Sequence, residues 1–303
     1  MSLEPDERVF RKRLKRRLTI WRIVALLAVV AVVALAFERG GRLPQASHIA
    51  RLSVTGIILE DQDRLQTLSQ SAKDASVKAL IVYINSPGGS VVGGESLFRS
   101  LRAVAAAKPV AVVMGEMATS AGYMTALGGD RIFAREGSIT GSIGVILQST
   151  DITGLLEKLG IATEALKSGP LKAVPSPLEP LTPEARAATM DVIRDVFDMF
   201  VGLVADRRSL SRDRALGLAD GRVYTGRQAL ANGLVDEIGG EQEAIGWLAA
   251  AHGIDARLPV KDLEGAEPVR LWRRLASAVT GKALFSERLT LDGLVSLWHP
   301  NLR

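Results

Sequence analysis

The chain has 303 residues, 47% of them hydrophobic, a formal net charge of +5 and no cysteine. That is enough apolar sequence for one large domain or two small ones, and the lack of cysteine excludes disulfides, thiolate catalysis and cysteine-ligated zinc. The three histidines, His48, His252 and His299, stand in no metal-ligand spacing, so neither a His-dependent triad nor a zinc hydrolase is expected.

The charge is not spread over the chain. Residues 1–22 hold eight basic side chains and three acidic ones, which is the whole +5, and the remainder carries 30 of each sign. The folded part therefore has no electrostatic footprint for nucleic acid. From Thr19 to Phe37 only Arg22 is charged, and it lies near the end, where it can snorkel to headgroups. Such a length suffices for a membrane span, which needs roughly 17 to 25 residues. The basic flank keeps the N-terminus in the cytoplasm and sends the rest across. Ala34-Leu35-Ala36 also resembles a signal-peptide cleavage site, but the basic region before the apolar run is long for a signal peptide. The expected organisation is a basic cytoplasmic tail over 1–18, an uncleaved transmembrane anchor over 19–37 and a linker over 38–47. An extracytoplasmic domain follows over 48–254, then a partly helical tail over 255–303.

Ile49 to Leu59 reads as a strand, and Leu65 to Ala75 as a helix with Leu65, Leu68, Ala72 and Ala75 on one face. Lys78 to Asn85 is a continuous β-branched run of the kind found in buried parallel strands. It stops at Ser86-Pro87-Gly88-Gly89-Ser90, before a helix over Gly93 to Ala107. Strands over 109–114, 130–134 and 143–147, helices over 121–128 and 153–159, an extended stretch over 162–167 and a long helix from Pro183 to Arg207 complete the alternation. Repeated β-then-α units predict an α/β fold with a mostly parallel sheet. Leu271, Leu275 and Val279 suggest a further amphipathic helix, suited to a partner subunit, a membrane or its own domain.

Three stretches carry chemistry. Gly115-Glu-Met-Ala-Thr-Ser-Ala-Gly-Tyr123 puts Ser120 at a strand-to-helix turn among small residues. There a hydroxyl is presented beside backbone N–H groups able to stabilise an oxyanion; alone, such a serine is more often a plain helix cap. Asn85-Ser-Pro-Gly-Gly89 ends a strand in two glycines, which let backbone approach a ligand closely. It matches neither glycine-rich nucleotide pattern. Lys172 lies in the irregular, proline-rich stretch Lys167 to Pro177 among apolar neighbours. A surface lysine is the default, yet an apolar site disfavours the ammonium and suits a lysine to act as a base.

With Thr140-Gly-Ser-Ile-Gly144, Lys167-Ser-Gly-Pro-Leu-Lys172 and Asp220-Gly-Arg-Val-Tyr-Thr-Gly-Arg-Gln-Ala229 followed by Gly233-Leu-Val-Asp236, these stretches stand in the order of one family. From about Ile49 to Ile238 the chain resembles the short form of bacterial signal peptide peptidase type A, peptidase family S49. The resemblance implies a ClpP/crotonase-like fold of repeated ββα units and a membrane-anchored serine endopeptidase that degrades remnant signal peptides. It implies Ser120 as nucleophile, Lys172 as general base and Ser142 as the hydroxyl that orients the lysine. The backbone N–H groups of Gly89 and Ala121 match the oxyanion hole. It implies no metal and no cofactor, and a homo-oligomeric ring whose sites are shared between subunits. The family's usual Ala-Ala-Ser-Gly-Gly-Tyr becomes Thr119 and Ala121 around the serine here. Leu171 stands where His or Tyr is frequent, and Ala173 where Asp is common. The alternatives are a stomatin-associated Ser-Lys membrane protease of the same superfamily and a non-catalytic crotonase-like scaffold. An acyl-CoA binder is disfavoured by the Ser120 and Lys172 pair and by the export signal.

Overall fold

The computed structural model describes residues 17–29, residues 46–263 and the backbone of 295–297. Two compact units divide after Ala46. In the first, residues 17–29 form helix α1, which exposes large apolar side chains such as Trp21, Leu26 and Leu27. The expected anchor over 19–37 runs beyond these residues; among the described residues no helix is long and apolar enough to cross a membrane.

The second unit is a mixed α/β sheet with helices on both faces. It begins β1 (His48–Ile58), α2 (Gln62–Lys73), β2 (Val77–Ser90), α3 (Val91–Ala105), β3 (Val110–Thr119) and α4 (Ala121–Ala126). Next come β4 (Arg131–Ala134), β5 (Ile139–Gly141), α5 (Thr153–Lys158), α6 (Pro183–Arg208) and α7 (Arg212–Gly217). The order closes with β6 (Val223–Thr225), α8 (Gly226–Ala231), β7 (Glu237–Ile238), α9 (Glu241–His252), β8 (Val260–Asp262) and β9 (Val295–Leu297). The main path runs β6-β5-β3-β2-β1-β8, parallel except where β5 meets β6. Each of the long strands β2 and β3 is bent where their pairing register shifts, between Ile84 and Ser86 of β2.

The apolar run of β2 is continuous because both its faces are covered. Leu80, Val82 and Ile84 share a cluster with Leu97 and Leu101 of α3, Tyr123 and Met124 of α4 and Phe200 of α6. Ala79 and Ile81 belong instead to a second cluster with Ala244 and Leu248 of α9. Each large apolar side chain so buried stabilises the fold by roughly 1.5–3 kcal/mol. The block from Asp220 to Asp236 closes this core. Arg208 of α6 grips the Asp236 carboxylate at 2.7 and 3.0 Å, and the same carboxylate accepts from Ile132 N at 2.7 Å. Ala229 is buried within it, and Leu230 beside it is half-exposed.

One other expectation changes. The strand expected at 143–147 lies earlier, at Ile139–Gly141. Gly141 and Ser142 both take positive φ, 82° and 49°, which breaks the extended chain before the apolar run begins. The stretch 162–167 forms no strand. The suggested helix around Leu271 to Val279 lies outside the described residues.

Residues 145–182 and the first half of α6 form an arm with little core of its own. Only Ala185, Phe200, Val201 and Val204 of α6 are buried, and α5 buries nothing. Leu159, Ile161, Leu166, Leu171 and Leu178 are exposed along the arm, Leu166 at 93%.

Candidate active site

Ser120 is the hinge between β3 and α4. Its backbone sits at φ 58°, ψ −119°, a conformation that costs a non-glycine residue of order 1–3 kcal/mol and clusters at functional sites. The serine is 1% exposed. It occupies the cap position of α4, and Met124 N donates to its carbonyl at 2.9 Å, but its hydroxyl makes no capping bond. The ordinary use of a serine at this place, as a cap, is therefore absent. Ala121 follows as the first helical residue, and first-turn N–H groups have no acceptor within their own helix.

Two neighbouring strands hold the turn. Ser120 N donates to Gly141 O of β5 at 2.9 Å, which brings Ser142 alongside, and Ser142 N donates to Arg222 O at 2.8 Å. Thr119 Oγ1 donates to Pro87 O at 3.0 Å, tying the nucleophile strand to the glycine loop of β2. Ser86, fully buried, shapes that loop: its Oγ donates to Gly56 O at 2.6 Å and accepts from Gly88 N at 3.0 Å. Asn85 Oδ1 accepts from Met117 N at 3.1 Å, in the bend of β3. Ser90 then caps α3 by accepting from Gly93 N. Asn85, Ser86 and Thr119 lie inside the recognised motifs, yet sequence reasoning gave them no part; their signal was a polar residue in an otherwise apolar run.

Gly89 has no alternative. A Cβ there would lie 1.8 Å from Ile58 O, a backbone atom that cannot move without shifting β1. Gly89→Ala is expected to abolish hydrolysis and to lower Tm by several degrees; wild-type activity with an unchanged Tm would remove Gly89 from the site.

Below the turn, Tyr123 anchors α4. It is fully buried, its hydroxyl donates to Leu234 O at 2.9 Å, and burial holds that hydroxyl protonated well above the usual tyrosine range. Arg207 donates to Leu127 O and Gly129 O, satisfying carbonyls left open at the end of α4.

Hydrogen bonds thus tie the Ser120 turn to the strand that leads into Ser142 and to the loop that leads into Gly89. Lys172 lies on the arm. It sits in an exposed turn of the arm, where its N–H donates to Gly169 O, and among the described residues its side chain makes no hydrogen bond or ion pair. A cleft of about 500 Å³ opens beside it, lined by Leu166, Lys172, Ala173 and Leu178 and by the Lys167–Glu179 ion pair at 2.6 Å. The apolar, water-poor surroundings expected for this lysine are not supplied by its own loop. Among the described residues no group of His, Asp or Glu could hold a metal ion.

The sequence profile described as peptidase family S49 matches residues 102–255. A protein of Synechocystis sp. named as a protease, slr0021, is 36% identical over 246 residues, 80% of this chain and 88% of that protein. An Enterococcus faecium protein named after signal peptide peptidase SppA is 35% identical over 211 residues, 65% of this chain and 61% of that protein. Among solved structures, a point mutant of ClpP1 from Listeria monocytogenes aligns with a TM-score of 0.43 at 18% identity, over 64% of this chain and 93% of that one.

Proposed function

Because the chain belongs to peptidase family S49 and is a serine peptidase, we propose that it is a membrane-anchored endopeptidase with a Ser120–Lys172 dyad that degrades remnant signal peptides. The observation that carries this reading is Ser120 itself: a buried serine in a strained strand-to-helix turn, tied through Thr119 to the loop that leads into a strand end only glycine can occupy. In the proposed reaction neutral Lys172 takes the hydroxyl proton, and Ser120 Oγ attacks the peptide carbonyl. The N–H groups of Gly89 and Ala121 stabilise the tetrahedral oxyanion, and the ammonium then protonates the leaving amine. Water, deprotonated by the same lysine, releases the acyl group. No metal or cofactor is needed.

The basic residues 1–18 and the apolar run 19–37 support a single-pass anchor in the bacterial inner membrane, with the N-terminus cytoplasmic and the catalytic unit outside. An anchored protease there meets peptides left in the membrane after secretory processing. The exposed arm and exposed Lys172 support a ring in which each arm reaches a neighbour. The apolar side chains of the arm would be covered, and the lysine desolvated, by the adjoining subunit.

The test is hydrolysis of a synthetic, apolar signal-peptide segment by the detergent-solubilised full chain, with products identified by mass. Internal cleavage is expected, and a chain that leaves the segment whole would overturn the reading. Ser142→Ala should slow the reaction without abolishing it.

A further inference from the structure

Residues 145–182 are exposed along most of their length, yet one basic side chain there is drawn in. The Lys167 side chain is 15% exposed, and its Nζ donates to Glu179 Oε2 at 2.6 Å. Among the described residues this is the one ion pair within 145–182. It joins the two ends of the stretch 167–179, which carries Lys172 near its middle. Two further bonds seal the same end. Thr163 Oγ1 donates to Leu178 O at 3.1 Å, and Ile152 N donates to Pro177 O at 3.0 Å. Inside the stretch, Lys172 N donates to Gly169 O, and Ala173 takes a positive φ of 59°. A non-glycine residue holds that conformation only where the surrounding structure imposes it.

We propose that the Lys167–Glu179 pair is a clasp that closes the base loop and sets where Lys172 stands, which makes both side chains positioning residues for the reaction. The proposal rests on the reading of Lys172 as the base. A partly exposed ion pair contributes little to overall stability, so the effect of this one is geometric. A base must come within hydrogen-bond reach of the proton it takes, and a misplacement of about 1 Å can cost on the order of 10²-fold in rate. Joining the ends of a loop removes conformations from the residues between them. The pair has a second consequence. Glu164, Lys167, Lys172 and Glu179 line the same cleft, and Glu164 is exposed to water. While Lys167 holds the Glu179 carboxylate, that carboxylate is not a partner for Lys172; with Lys167 gone, it becomes one. The two ends of the clasp are therefore unequal, and loss of Lys167 should do more harm than loss of Glu179.

The test measures kcat and KM of the full chain on the synthetic signal-peptide segment, at concentrations where sedimentation shows each variant assembled as the wild type is. Glu179→Gln is expected to lower kcat about tenfold and Lys167→Met by more, with KM within about twofold of wild type. Adding Glu179→Gln to Lys167→Met should return kcat to the Glu179→Gln level. The exchanged pair, Lys167→Glu with Glu179→Lys, should return it to within about threefold of wild type. Wild-type kcat in either single variant, a change in KM in place of kcat, or an exchanged pair no better than the single variants overturns the proposal. A second arm needs no catalysis. In Lys172→Ala chains with and without Glu179→Gln, hydrogen exchange is followed over residues 168–174, where the N–H at position 172 is bonded to Gly169 O. Exchange about threefold or more faster with Glu179→Gln, at unchanged Tm, supports an opened clasp, and equal exchange overturns it. If Lys172→Ala hydrolyses peptide like the wild type, the base reading fails by itself, and the exchange result still decides whether the pair holds the loop.

Discussion

Ser120→Ala is expected to lower peptide hydrolysis by about 10⁴-fold or more while leaving the fold intact, because loss of a nucleophile leaves only the oxyanion site and binding to catalyse. Alanine keeps the Cβ, so the strained backbone at φ 58° meets no new clash, and the serine hydroxyl caps nothing in α4. Tm should move by no more than a few degrees. Lys172→Ala should be equally inactive, and it lies in an exposed turn where truncation removes no core contact. Lys172→Arg separates base chemistry from charge. A guanidinium stays protonated throughout the working range and cannot accept the serine proton, so this variant should be as dead as the alanine. Hydrolysis by Lys172→Arg at a tenth or more of the wild-type rate would sink the dyad.

Much of this site was legible because its parts are local. Lys78 to Asn85 is apolar at every second position and between, and only a strand covered on both faces uses such a run; β2 is that strand. Gly89 could be picked out as a close-approach glycine, and the 1.8 Å clash with Ile58 O gives the reason. Ser120 could be placed at a strand-to-helix turn, but the difference between a serine that caps its helix and one that does not lies in ψ and in a hydrogen bond, which no residue type encodes. The apolar residues 143–147 looked like a strand because hydrophobic run length cannot register two consecutive positive φ angles just before them. Thr119 looked like a small substitution for alanine; its bond to Pro87 O makes it a tie between the two halves of the site. β9 was illegible because three residues are too short for a periodic signal, and their partner lies about two hundred positions earlier in the chain.

Lys172 was legible as a residue and illegible as a place. Its neighbours in sequence are apolar, yet it and Leu166, Leu171 and Leu178 are exposed on the arm. The proposed mechanism needs an apolar surface over this lysine, and the described residues leave it exposed. A second copy is the economical source, since one heterologous contact repeated around a closed ring covers every arm. If each active site joins Ser120 of one subunit to Lys172 of the next, two inactive variants should restore one another. Ser120→Ala and Lys172→Ala proteins, purified separately, are dissociated and reassembled together. In a randomly mixed ring about a quarter of the heterologous interfaces would set an intact Ser120 against an intact Lys172. Activity should then return to roughly that fraction of wild type, and should vanish in rings of either variant alone. Labelling the two variants with different fluorophores proves co-assembly by energy transfer, independently of catalysis. Mixed rings without activity would place both dyad residues within one chain and leave the exposed arm to serve assembly alone.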